Sequence, residues 1–311
     1  MRNAFADEIT KLAGARDDVV FLSGDIGNKL FDKYKAVAPT RFFNCGVAEA
    51  NMISMAGGLA LSGLRPIAYT ITPFITTRCL EQIRNDVCYH NVPVVIVGVG
   101  SGLGYASLGP THHSCEDISL LRSLPNMNVV CPADAWEVRA LLNAALDQDK
   151  PTYMRIGKKG EPQIHASTPK LTIGKAERLR DGTDACLIGT GVLLPTVLDA
   201  ADKLKDIGIS AAVVNMHTVK PLDTALLADV FATFKVVATV EEHSLIGGLG
   251  SAVAEWAADN GPFKAQICRF GTRDEFMHES GNTKYARALF GLTAEDIVAR
   301  VRRAVEGGPR A

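Results

Sequence analysis

Residues 92–99, Val-Pro-Val-Val-Ile-Val-Gly-Val, contain no polar side chain. An apolar run of that length has no solvent-facing side, which predicts a central strand of a parallel sheet covered on both faces. The pattern around it agrees. Short apolar runs at 19–22, 41–44, 66–71, 128–131 and 152–156 alternate with helix-spaced segments at 4–15, 46–63, 74–90, 116–124 and 136–147. Residues 158–172, rich in Lys, Gly, Pro, Ser and Thr, have no apolar period and read as a linker. Beyond it the alternation resumes, with strands at 185–188, 210–214, 236–240 and 265–269 and helices at 194–207, 224–233, 251–259 and 294–305. With 311 residues, 47% of them hydrophobic, the chain can bury two cores. The fold class is α/β: two three-layer α/β/α units with mostly parallel sheets, at 1–160 and 172–311.

One carboxylate stands out. Glu49 lies in the first turn of the 46–63 helix among Ala48, Ala50, Ala56, Gly57 and Gly58. A first-turn Glu complements the helix dipole wherever it occurs. The small residues favour a second role, because they let another backbone or a flat ring approach and so enclose the carboxylate. Parallel sheets bind ligands at the C-terminal ends of their strands. Asp25, after the first strand, is therefore a site candidate, or equally an Asx turn or a cap for a helix beginning after Asn28. The glycine-rich loop 100–114 leaves the central strand and carries His112 and His113. No ligand partner falls at metal spacing around that pair. Phe74 is either core or a platform for a planar ligand, and Arg155 points outward from the last strand of the first unit. Glu241-Glu242-His243-Ser244 and the glycines after it also follow a strand, where tight strand-to-helix packing is the default reading.

Thirty-three basic and 34 acidic residues leave a net charge of −1, so no global field favours nucleic acid or an anionic membrane. The seven cysteines are scattered without a Cys-x-x-Cys pair, which argues against a disulfide framework or zinc ribbon and fits a reducing cytoplasm. No apolar run approaches the roughly 20 residues of a membrane span, and charges interrupt the N-terminus where a signal peptide is apolar.

Five motifs occur in order: Phe-Asn-Cys-Gly-Val-Ala-Glu-Ala-Asn-Met at 43–52, Tyr-Thr-Ile-Thr-Pro-Phe at 69–74, Gly-Pro-Thr-His-His at 109–113, Leu-Pro-Asn-Met at 124–127 and Thr-Val-Lys-Pro-Leu-Asp at 218–223. Together they resemble the C-terminal half of transketolase, across nearly the whole chain. The resemblance implies a pyrimidine-binding domain at 1–160 and a transketolase C-terminal domain at 172–311. The Gly-Asp-Gly and Asn motif that holds diphosphate and metal is missing, so the chain resembles the C-terminal subunit of a split thiamine diphosphate enzyme. The N-terminal, diphosphate-binding subunit is then the expected partner and the main holder of Mg2+, in a heterotetramer with two chains of each kind. The implied roles are cofactor activation for Glu49, packing on the pyrimidine for Phe74 or Ile75, and proximity to that ring or the sugar for Asp25. His112, with His113 beside it, contacts substrate and relays protons. Arg155, assisted by Arg2, holds the sugar's terminal phosphate.

Leu108 stands where the family usually has an Asp that reads a substrate hydroxyl, and about Gly100 where it has a further His. That departure implies a branched, deoxy or sulfonated sugar in place of the usual pentose phosphates. The beta subunit of a 2-oxoacid dehydrogenase decarboxylase, a deoxyxylulose-phosphate synthase and a non-catalytic partner subunit are the alternatives; Gly-Pro-Thr-His favours ketol transfer.

Overall fold

The computed structural model describes residues 1–27 and 29–307. Asn28, before the helix that Asp25 was a candidate to cap, lies outside the described residues, as do 308–311 at the end of the second predicted unit.

The first sheet uses β1 (Val19–Ser23), β2 (Phe42–Asn44), β3 (Arg65–Ile71), β4 (Val95–Val99), β5 (Asn128–Val130), β6 (Thr152–Ile156) and, from the second half, β10 (Thr218–Lys220), in the order β10-β5-β6-β4-β3-β1-β2. The second uses β7 (Glu177–Arg180), β8 (Ala185–Gly189), β9 (Ala211–Asn215), β11 (Val236–Ser244) and β12 (Gln266–Thr272), in the order β12-β11-β8-β9-β7. Among the strands of the described residues, only β10 and β7 pair antiparallel, each on an edge. β4 is central, as its composition predicts, but it starts at Val95 because Pro93 has no N–H to give the ladder.

Side chains alternate through β1: Val20 and Leu22 join Met52, Ile53 and Ala56 of the helix Glu49–Leu61, while Val19 and Phe21 join Phe5 and Ile9 of the helix Arg2–Ala15. The core below the Glu49 helix runs on into Ile188, Val214 and Phe231 of the second half. β10 reinforces that continuity, with Cys131 N–H donating to the His217 carbonyl at 2.7 Å. The 218–223 motif therefore works partly as the edge strand of the other unit's sheet.

Two expectations about helices change. The 46–63 helix is not wholly buried: Val47, Asn51, Met55 and Gly58 leave one face open. The 74–90 helix is broken into Thr72–Ile75, a 3-10 turn at Thr77–Cys79, Leu80–Gln82 and a π-helical Ile83–Tyr89. Ile75-Thr76-Thr77 is a β-branched run that crowds a regular helix, and Thr76 sits at φ −102°, ψ −78°. The π segment is pressed against the Glu49 helix at Gly57, where a Cβ would lie 2.6 Å from the Asp86 carbonyl oxygen.

Candidate active site

The site is assembled at the C-terminal ends of β1, β3 and β4. At Gly46 (φ +69°) the chain turns from β2 toward the helix, a conformation glycine adopts without Cβ strain. Asn44 Oδ1 accepts the Gly46 N–H at 2.9 Å, and Asn44 Nδ2 donates to Asp25 Oδ1 at 3.2 Å. Asp25 thus braces the turn that launches the helix, and its own N–H donates to the Gly46 carbonyl. Glu49 is the first helical residue and is only 4% exposed.

One cation meets it. Arg78 Nη1 donates to Glu49 Oε2 at 2.8 Å, and the same guanidinium lies 4.5 Å from the centre of the Phe74 ring. Arg78 itself is exposed, so one side of this ion pair faces open space. Phe74 is held by the residues before it: Thr72 Oγ1 donates to the Val99 carbonyl and bonds Ser101 Oγ at 2.9 Å, fixing the segment to β4 and its loop. Ile75 is fully buried in the core, so of the two residues open to the pyrimidine role only Phe74 reaches the cleft.

From Phe74 a line of rings continues outward. His112 lies edge-on to Phe74 at 5.2 Å, and Tyr105 is 6.1 Å beyond His112. The Thr111 hydroxyl is 3.0 Å from His112 Nδ1, which leaves Nε2 as the ring nitrogen free for chemistry. Lys158 Nζ then lies 4.1 Å above the Tyr105 ring. Burial first, and then the like charges of Lys159 and Arg2, lower the Lys158 pKa. Arg2 keeps a buried Nε without a hydrogen-bond partner. Lys158 and Lys159 line a cavity of about 370 Å³, together with Gly104, Ser107 and Arg287.

The other expected residues diverge. His113 turns from the row of rings, its Nε2 3.2 Å from the Ala106 carbonyl, and lines a separate pocket with Cys115 and Arg273. Leu108 is half exposed on the 3-10 turn Ala106–Leu108 at the loop surface. Arg155 does not point outward. It is 3% exposed, with Nε donating to Asp117 Oδ2 at 2.7 Å and Nη2 donating to the Ser114 and Glu242 carbonyls at 3.1 and 2.7 Å. Tyr153 also donates to Asp117, at 2.5 Å. Arg155 is a buried strut between the glycine-rich loop and the second unit, because its side chain leaves β6 toward the interface. Glu242 secures the same loop, accepting the Leu103 N–H at 2.8 Å while Arg287 bonds its other oxygen. Glu241 accepts the Leu249 and Gly250 N–H groups at the start of the helix Leu249–Asn260. The acidic pair, which lies within the longer β11 instead of after it, therefore makes structural contacts in this chain.

Sequence reasoning missed Arg78, Tyr105 and Lys158. Arg78 is four residues after Phe74, and Lys158 two residues past the end of β6, at the ligand-binding edge of the sheet.

Residues 1–162 match the family described as transketolase, pyrimidine binding domain, and residues 174–297 match transketolase, C-terminal domain. The chain is 37% identical over 308 residues to the 6-deoxy-6-sulfo-D-fructose transketolase subunit SqwH of Clostridium sp. (strain MSTE9), covering 98% of this chain and 94% of the relative. It is 35% identical over 298 residues to an apulose-4-phosphate transketolase subunit of Phocaeicola vulgatus, covering 95% and 94%. A solved split gene transketolase, an inactive beta4 tetramer, superposes with a TM-score of 0.89 at 34% identity, covering 98% of this chain and 97% of that one.

Proposed function

The chain belongs to the transketolase family as a subunit carrying the pyrimidine-binding and C-terminal domains, and from that premise we propose that it activates the cofactor in a two-chain ketol transferase. The enzyme passes a two-carbon unit from a ketose to an aldose. The observation that carries this reading is the Glu49 carboxylate, enclosed at a helix start and linked through Arg78 to a partly open aromatic ring, Phe74. An acceptor beside a flat apolar surface fits an aminopyrimidine. When bound, thiamine diphosphate supplies the nucleophilic carbon that takes up the two-carbon unit.

The residues of this chain divide the remaining work. Glu49 Oε2 is held by Arg78, so Oε1 is the oxygen assigned to hold a proton at the far ring nitrogen. Phe74 packs on the ring face, and Asp25 keeps the Asn44–Gly46 turn in register. His112 offers an imidazole with an available Nε2, which suits it to bond a substrate oxygen and move a proton there. The anionic end of the substrate is assigned to Lys158, Arg2 and Lys159 instead of Arg155. Their mutual repulsion and partial desolvation are relieved by an anion. Leu108, exposed at the loop surface, supports selection of a donor lacking a hydroxyl at that position.

The open face with Val47, 78% exposed, and Met55 supports docking of the diphosphate-binding subunit, which also supplies the Mg2+ site. Two chains of each kind form the assembly. The inactivity of the related beta4 tetramer supports a requirement for that partner.

Ketol transfer is measured with thiamine diphosphate and Mg2+, using this chain alone and mixed with the product of the adjacent reading frame. The donors are 6-deoxy-6-sulfofructose, apulose 4-phosphate and xylulose 5-phosphate. Transfer is expected only in the mixture, and Glu49→Gln is expected to lower kcat by about 10²–10⁴-fold. Full activity of Glu49→Gln, or decarboxylation of a 2-oxoacid without ketol transfer, overturns the reading.

A further inference from the structure

A second polar cluster lies away from the cleft, where the connecting segment meets both units. Asp134 caps the helix Ala135–Leu146, its Oδ1 accepting the Trp136 and Glu137 N–H groups at 2.8 Å. Its Oδ2 accepts the Ile164 and His165 N–H groups and is 3.2 Å from His165 Nδ1. That contact makes Nδ1 the protonated ring nitrogen. His165 Nε2 faces Glu177 Oε2, 3.2 Å away, so a positive species, either a proton on Nε2 or a metal ion, bridges the two. Glu137, fully buried, accepts Ala133 N–H on Oε2 at 2.8 Å and Asn215 Nδ2–H on Oε1 at 2.6 Å. One ligand atom each from Glu137, His165 and Glu177 lie within 4.8 Å of one another.

Independent orphan atoms sit beside these three. Asn215 is fully buried and pairs directly with Glu177 across β9 and β7, so the two side chains share a face. Its Oδ1 has no partner. His217, 1% exposed, also leaves Nε2 unpartnered, and its electrostatic neighbours include Glu177 and His165. The Lys175 carbonyl approaches the ring of His217.

We propose that Glu137, His165 and Glu177 bind a divalent transition-metal ion of the zinc class, joining the first unit, the connecting segment and the second unit. An imidazole nitrogen with carboxylates suits zinc, whereas magnesium prefers an octahedral oxygen and water shell. A 3.2 Å separation between two donors matches an edge of a tetrahedron with ligands about 2.0–2.1 Å from a common ion. Asp134 on the far nitrogen of His165, and Ala133 with Asn215 on Glu137, orient the ligands as outer-shell partners do in metal sites. The site is remote from Glu49 and independent of the proposed activity.

The test is calorimetric titration of the chelator-stripped full chain with zinc chloride, repeated for His165→Gln and Glu177→Gln, with cobalt(II) absorption as the coordination probe. We expect about one zinc per chain, a tetrahedral cobalt spectrum, a zinc-dependent rise in Tm, and affinity at least about tenfold weaker in each folded variant. Equal zinc affinity in the variants, equal affinity for magnesium, or a wild-type chain without the cobalt spectrum and the Tm rise overturns the proposal. The last two readouts use wild-type protein, so they decide the matter even if a variant fails to fold.

Discussion

Replacing Arg155 with Met separates two roles for this residue. As a phosphate ligand, its loss would weaken the binding of anionic donors and leave the fold intact. The geometry predicts the reverse. Arg155 makes three hydrogen bonds, one to Asp117 and two to carbonyls, and the salt-bridged side chains are 3% and 0% exposed. The substitution strands the Asp117 carboxylate with the Tyr153 hydroxyl alone, since Asp117 Oδ1 already lacks a partner. It also removes the Arg155 donor from the Glu242 carbonyl and from the Ser114 carbonyl, which keeps the Gly102 N–H. Breaking one side of a buried ion pair costs about 3–5 kcal/mol, which for a cooperative unit of this size lowers Tm by about 6–20 °C. Because the uncompensated charge dominates that loss, Arg155→Met/Asp117→Leu should recover part of it, a non-additivity that a double-mutant cycle reads directly. Thermal and denaturant unfolding of the four proteins is the assay. A single variant with wild-type Tm and a raised KM for phosphorylated or sulfonated donors would refute the reasoning and restore Arg155 to the substrate.

Lys158→Ala should raise KM for such donors by about 10–100-fold with a smaller change in kcat, the loss expected for one charge-assisted contact of about 1.5–3 kcal/mol; equal effects on an uncharged donor would remove the anion from the argument. Gly57→Ala should destabilise by about 1–3 kcal/mol because its Cβ meets the Asp86 carbonyl, whereas Gly58→Ala, with open space around it, should gain about 0.5–1 kcal/mol; denaturant midpoints of the free chain decide between this and two equal gains. Iodoacetamide should label the native chain first at Cys45, the one cysteine of the seven that is not buried, and more slowly than an exposed thiol because burial raises its pKa; peptide mass spectrometry locates the label, and prior modification of Cys79 or Cys88 would contradict the packing.

Much of the architecture was legible because local pattern and tertiary role coincide. The all-apolar run that becomes β4 permits little else, and the alternation around it fixes a parallel sheet. The burial of Glu49 was legible for a related reason: the Ala and Gly residues around it let neighbouring backbone close over the carboxylate. The broken helix after Phe74 was harder, since its apolar spacing survives while the β-branched run and the approach of Gly57 redirect the backbone. Arg155 misled because strand alternation gives the face of a side chain but not what covers that face, and here the second unit covers it. Arg78 and Lys158 looked like ordinary surface cations; only their placement over Phe74 and Tyr105 distinguishes them.

β10 gives the two halves a shared fate. A chain cut in the connecting segment would separate the strand from the sheet it completes and expose the β5 edge, along with apolar surface on both sides of the continuous core. Neither fragment would be a self-sufficient module. For engineering, the useful breakpoints are therefore surface loops within a half, and recombination between relatives is better done by exchanging both halves together than by shuffling them across the linker.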